Sequence, residues 1–290
     1  MPVRSDAVGE ELGHRVTTVS TRQILAYAAG LGVDDPTLLN DADPRFAALP
    51  QLCASLEWQV VSDPAARRIL GLDPEETLRG VHVAQDSTFH APIRPDATVR
   101  TGCRVMAVRA TSAGALVRCL LETEDEANGE PLVSSWSTSI YRGVAVEGPD
   151  HAVAQPPPIP SSGERSGSSD DVEIPIARWL PHVYTECSAI WNPIHTERRV
   201  ALRAGLADIL LHGTATWALA GLAVVERRGC ADFRRLLRLA GRFAAPVLPG
   251  SVLRVSVGPL SAEHHGAGVA FEATSDGGAR VLDDGWAELA

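Results

Sequence analysis

The chain of 290 residues contains no lysine; all 26 of its basic side chains are arginine. Schiff-base formation and lysine general-base chemistry are thereby excluded, since both need that amine. Nor is there a run near the ~18 consecutive apolar residues of a membrane-spanning helix, and the opening MPVRSDAVGEELGHR has no apolar stretch of signal-peptide length. A cytoplasmic protein with no membrane partner is the expectation. Cysteine is scattered, at 53, 103, 119, 187 and 230. With no CxxC pair and no Cys/His ligand spacing, these five read as buried free thiols rather than disulfides or structural zinc. Phosphate-loop, HExxH and GxSxG motifs are all missing, so no cofactor and no metal are expected. Positive charge is also short: a net charge of −10 disfavours nucleic acid or a phospholipid surface as a partner. Arginine does grip phosphate bidentately. A local pocket for a nucleotide-bearing substrate at Arg198-Arg199, Arg227-Arg228 or Arg234-Arg235 therefore stays open, beside the simpler reading of each pair as a solvated helix face.

What is present is an ordinary globular composition, 45% hydrophobic and 21% charged, with mean hydropathy +0.01. The stretch Gly143–Asp171, GVAVEGPDHAVAQPPPIPSSGERSGSSDD, is rich in Pro, Gly and Ser and reads as an extended linker. It separates residues 1–142 from residues 172–290, and both parts parse alike: an amphipathic helix, a more thoroughly apolar helix, then strands. Ile24, Tyr27, Ala28 and Leu31 share one helical face, with Ser20 or Thr21 as N-cap, and Leu180, Val183, Tyr184 and Cys187 repeat the spacing. The apolar helices fall near Leu52–Val61 and Ala215–Val225, with Leu52, Leu56 and Trp58 as core or pocket lining. Strand alternation marks Val99, Cys103 and Val105; Leu132, Trp136 and Ile140; Leu253, Val255 and Val257; and Val269, Phe271 and Ala273. Helices ahead of strands indicate an α+β fold, in which one buried helix is wrapped by an antiparallel sheet. Two such units in tandem, a double hot-dog, account for the length.

Chemistry concentrates in Tyr184–Leu219. His195 follows an Asn-Pro turn that presents its imidazole from a loop, which suits proton exchange near neutral pH. His212-Gly213-Thr214 opens the long apolar helix, where unpaired backbone N–H groups and the positive end of the dipole make the Gly213 amide a candidate oxyanion donor. Asn192 holds the turn, His212 fixes local geometry, and Trp191 either walls a pocket or fills core; these three are the candidate substrate-binding residues. Thr196 or Glu197 is the expected cap of the helix Arg198–Ala204.

Ser188-Ala189-Ile190-Trp191-Asn192-Pro193-Ile194-His195 resembles the S-G-D-x-N-P-[LI]-H signature of the hydratase 2 / MaoC-like dehydratases. Three further segments match that family in its order: Tyr27–Gly32, like Y-A-L-G-V-G; Val81–Gln85, like L-H-G-E-Q; and Arg242–Gly250, like R-F-x-x-P-V-x-P-G. The resemblance implies a tandem hot-dog enzyme that adds water to a 2-enoyl thioester or removes it from a 3-hydroxyacyl thioester in fatty-acid metabolism. Its substrate would be carried on CoA or acyl carrier protein and its state a homodimer. His195 would be acid/base and Gly213 oxyanion donor, while the N-terminal unit would be catalytically silent, despite Asp34 and Asp35, and would shape the acyl pocket. One departure matters: Ile190 stands where the signature has its aspartate. Three outcomes stay open. A carboxylate from Glu186 or Glu197 substitutes; His195 works alone, as in the mesaconyl-CoA-like branch; or the site binds a thioester without hydrating it. A hot-dog thioesterase and a non-catalytic acyl-binding subunit are the alternative functions.

Overall fold

A computed structural model describes residues 2–160, 169–263 and 266–290. In chain order its principal elements begin with β1 (Val3–Arg4), β2 (Glu11–Val19), α1 (Thr21–Gly30), α2 (Cys53–Val61), α3 (Pro64–Ile69), α4 (Pro74–Thr77), β3 (Gly80–Phe89), β4 (Ala97–Thr111), β5 (Gly114–Asp125) and β6 (Pro131–Arg142). They continue with β7 (Val146–Glu147), β8 (His151–Ala152), β9 (Asp170–Pro175), α5 (Leu180–Ser188), α6 (Arg198–Arg203), α7 (Gly213–Arg228), β10 (Leu236–Phe243), β11 (Val252–Glu263), β12 (Gly266–Ser275) and β13 (Ala279–Leu289). The result is the α+β, helix-on-antiparallel-sheet arrangement of the hot-dog, built twice.

The two compact units are not simply the stretches before and after the linker. One comprises residues 1–18, 53–91 and 98–158; the other adds residues 19–52 and 92–97 to 159–290. Helix α1, early in the sequence, thus belongs with the late elements. Its buried face, Ile24, Tyr27, Ala28 and Leu31, is the one expected from spacing, and Ser20 Oγ caps it by accepting from the Gln23 amide at 3.2 Å. The linker stretch is partly structured: β7 pairs with β1, and β8 with β4. Residues 161–168 of that stretch lie outside the described residues.

In the first unit the strand order is β2-β4-β5-β6-β3. Val99, Cys103 and Val105 are buried as expected, and on β6 the expected alternation holds at Leu132 but not at Trp136 and Ile140. Ser135 is fully buried, while Trp136 and Ile140 keep partial exposure. The reason is a polar interior. Glu57 of α2 accepts from Gln85 Nε2 at 3.0 Å, Gln85 Nε2 also donates to Ser87 at 2.9 Å, and Ser87 meets Ser135 at 2.7 Å. Burial pushes the Glu57 carboxyl upward, opposed by these hydroxyl and amide partners. His82 is held at Ser137, 3.1 Å away. Leu52 and Leu56 are core, but Trp58 is not fully enclosed. Among the cysteines 53, 103 and 119 are buried, whereas Cys187 is half-buried and Cys230 exposed, so the expectation of five buried thiols holds for three.

In the second unit the order is β10-β13-β12-β11-β9, antiparallel throughout. Helix α7 lies on this sheet. Its residues from Ala215 to Ala220 are all buried, as an all-round apolar helix requires. Helix α5 packs on α1 so closely that a Cβ on Gly30 would stand 2.5 Å from Cys187 Cβ. Gly30→Ala should therefore lower stability by about 1–3 kcal/mol through overpacking, read as a fall in the urea midpoint; an unchanged midpoint would refute the close α1–α5 crossing.

Candidate active site

Two histidines from separate segments meet in the second unit. Helix α5 stops at Ala189, whose φ of 56° is left-handed. Ser188 secures the stop, donating to Tyr184 O at 2.6 Å and accepting from the Ile190 amide at 3.3 Å. This turns the Ile190 carbonyl toward His212, whose Nε2 lies 3.2 Å from it and 3.1 Å from Thr185 Oγ1. Asn192 then holds the next turn, its side chain accepting from the Ile194 amide at 3.4 Å. The short 3-10 turn Pro193–His195 delivers the second ring. His195 Nδ1 donates to Leu210 O at 2.8 Å, and the ring stacks on His212 with centroids 3.7 Å apart and planes 25° off parallel.

The wall behind this pair is aromatic. The Tyr184 ring is 5.0 Å from His212, and Tyr27 is 6.0 Å beyond it. Tyr184 donates to Thr214 Oγ1 at 3.2 Å, and Tyr27 to Gln51 O at 2.8 Å. Gly213 starts α7 directly after His212, and a Cβ there would touch the Phe243 ring at 3.4 Å. The first amide of a helix has no intrahelical partner, and among the described residues none is found for the Gly213 amide, the donor that directly follows His212. Leu211 is tied to Val247 O at 2.9 Å. The segment containing Phe243 and Val247 thus floors and anchors the helix start.

Both rings sit in dry surroundings, His195 8% and His212 1% exposed. Burial lowers His195 to about 4, countered in part by its hydrogen bond to the Leu210 carbonyl. His212 is also held well below its ordinary value, by burial first and by His195 second. Both are neutral at physiological pH. For His195 the Leu210 bond fixes the proton on Nδ1 and leaves the lone pair on Nε2, a base ready to accept a proton.

Not every residue singled out from the sequence joins them. On α5 the buried face is Pro181, Tyr184, Thr185 and Ser188, while Glu186 is on the exposed face with His182. Glu197 is exposed as well and makes no side-chain cap to α6, and Thr196 does not serve as that cap either. Trp191 is 63% exposed, which removes it from the core. Asp35 is occupied in its own loop, accepting from the Thr37 amide at 2.7 Å. Of the arginine pairs, Arg228 is held by Asp170 at 2.6 Å, Arg234 by Asp232 at 2.7 Å and Arg198 by Asp208 at 3.1 Å. Sequence reasoning missed Thr185, Tyr27 and the role of Tyr184 as a wall. The signal was available, since Tyr184 and Thr185 flank Glu186 on the same helix, but only burial separates the inward positions from the outward one.

Comparison with known proteins gives a consistent assignment. Residues 18–143 match the MFE-2 hydratase 2 N-terminal domain and residues 169–275 the MaoC like domain. The chain is 21% identical to a probable enoyl-CoA hydratase 2 of Dictyostelium discoideum, over 86% of each sequence. It is 24% identical to 3-hydroxyacyl-thioester dehydratase Y of Mycobacterium tuberculosis, over 99% of each. Among solved structures, a MaoC-like dehydratase from Phytophthora capsici superposes with a TM-score of 0.82 at 23% identity, over 98% of both chains.

The buried rings make stability depend on pH with a definite sign. His195 and His82 fall from 6.5 to about 4 on folding, and His212 is lowered as well. Between those values the unfolded chain binds protons that the folded chain refuses, so stability is retained above 6.5 and declines as pH drops toward 4. Urea midpoints should fall steadily across that window; a flat profile would show that these rings are not buried in neutral form.

Proposed function

The chain belongs to the hydratase 2 / MaoC-like dehydratase family, and on that premise we propose that it is a hydro-lyase acting on acyl thioesters. It adds water across the double bond of a 2-enoyl thioester, or removes it from the 3-hydroxyacyl product. The observation that carries this reading is the buried, neutral His195 with its proton fixed at Nδ1 by Leu210 O at 2.8 Å, beside the unpaired amide of Gly213. Such a pair supplies the two things hydration needs most, a base for water and a donor for the thioester oxygen as it gains charge.

In the hydration direction His195 Nε2 takes a proton from water as the oxygen bonds to the β carbon. The double-bond electrons move onto the α carbon and the thioester oxygen, where the Gly213 N–H receives the growing charge. The proton then passes from Nε2 to the α carbon, and the ring returns to its neutral form. Asn192 maintains the turn that aims His195, and the exposed Trp191 covers a bound substrate from the solvent side. The thioester is carried on CoA or acyl carrier protein. A cytoplasmic homodimer completes the reading on family resemblance alone.

The test follows the enoyl-thioester absorbance with short, branched and dicarboxylic CoA substrates. Turnover is expected, and His195→Ala should reduce it by about 10²–10⁴-fold. In the intact enzyme kcat/KM should drop as pH falls through about 4, where the base becomes protonated. No turnover on any substrate, or an unaffected His195→Ala, removes the reading.

A further inference from the structure

We propose that His212 is the second water-binding group of the site: its Nδ1 accepts one hydrogen of the attacking water while His195 Nε2 takes the other. This rests on the hydratase reading above. It begins with a proton assignment. His212 Nε2 faces the Ile190 carbonyl at 3.2 Å, and a carbonyl only accepts. The ring therefore carries its proton on Nε2, and its lone pair is on Nδ1. That Nδ1 is buried and has no hydrogen-bond partner among the described residues. Leaving a buried acceptor unpaired costs about 1–3 kcal/mol, a cost that a bound water removes.

The placement suits water. The His212 and His195 rings are stacked with centroids 3.7 Å apart, and the proposed water links His212 Nδ1 to His195 Nε2. Tyr184 closes off the pair at 5.0 Å from His212, and Thr185 and Ile190 O occupy its Nε2. Nδ1 is the one position of the ring left for a ligand. Glu186 and Glu197, the two carboxylates that the sequence offered for this role, are both exposed.

The step balances without an additional reagent. Water donates one O–H to His212 Nδ1 as a hydrogen bond only, and gives the other proton to His195 Nε2. Its oxygen lone pair forms the bond to the β carbon and the π pair moves toward the Gly213 amide. His195 then returns the proton to the α carbon. His212 stays neutral throughout and acts by orienting the nucleophile, so each His195 encounter with water becomes a productive one.

His212→Gln separates this role from a structural one, because glutamine can keep a donor for Ile190 O while removing the Nδ1 acceptor. The expected result is a fall in kcat of about 100-fold or more, with KM for the enoyl thioester within about threefold. A kcat within about fivefold of wild type, where His195→Ala lowers turnover by about 10²–10⁴-fold, would overturn the role of His212 alone. A wild-type chain inert toward every enoyl thioester would instead defeat the hydratase reading, and this role with it. If the Gln variant fails to fold by circular dichroism, Ile190→Asp decides. A site already holding its water through His212 should gain less than about tenfold from the new carboxylate; a gain of about 100-fold would show that the acceptor had been missing.

Discussion

Two neutral imidazoles stacked 3.7 Å apart, each anchored by a backbone carbonyl, are the arrangement on which the site depends. Stacking places both rings where water is scarce, and scarcity of water keeps both uncharged. A charge on either would be opposed by burial, and on His212 also by the neighbouring ring. The carbonyls of Leu210 and Ile190 then decide which nitrogen of each ring carries its proton. Tautomer and orientation are thereby set by main-chain acceptors.

Everything around the pair serves to hold those two carbonyls in place. The left-handed turn at Ala189 aims one, and Leu211, bonded to Val247 O, fixes the stretch that follows the other. The aromatic column of Tyr184 and Tyr27 backs His212 and carries the packing out to α1. An element from early in the chain thus supports the site formed by late ones. Its closeness comes from an absent side chain at Gly30, so the support depends on backbone contact more than on side-chain fit.

Much of this was legible in the sequence. The all-round apolar run after His212 gave the buried helix, alternation gave the strands of the second unit, and the Asn-Pro-x-His pattern located the loop histidine. The failures share one physical cause, that periodicity reports which residues share a face and not which face is inside. On β6 the apolar Trp136 and Ile140 keep partial exposure while Ser135 is enclosed, because the buried Glu57 and Gln85 are served by the hydroxyl chain of Ser87 and Ser135. On α5 Glu186 is one position from the inward-facing Thr185, and a single residue is about 100° of helix. Trp191, large and apolar, read as core or pocket wall and stands mostly in solvent. His212 read as a geometric support because its partnerless nitrogen becomes visible only once its neighbours are known.

The turn at Ala189 has a consequence for how the enzyme tolerates change. Alanine in left-handed backbone costs roughly 1–2 kcal/mol that glycine would not. The methyl group also narrows the angles the turn adopts, and so narrows the direction of the Ile190 carbonyl. Stability and aim are therefore in competition at one methyl group. A chain selected for thermal resistance would drift to glycine there, and one selected for turnover would keep the strained residue.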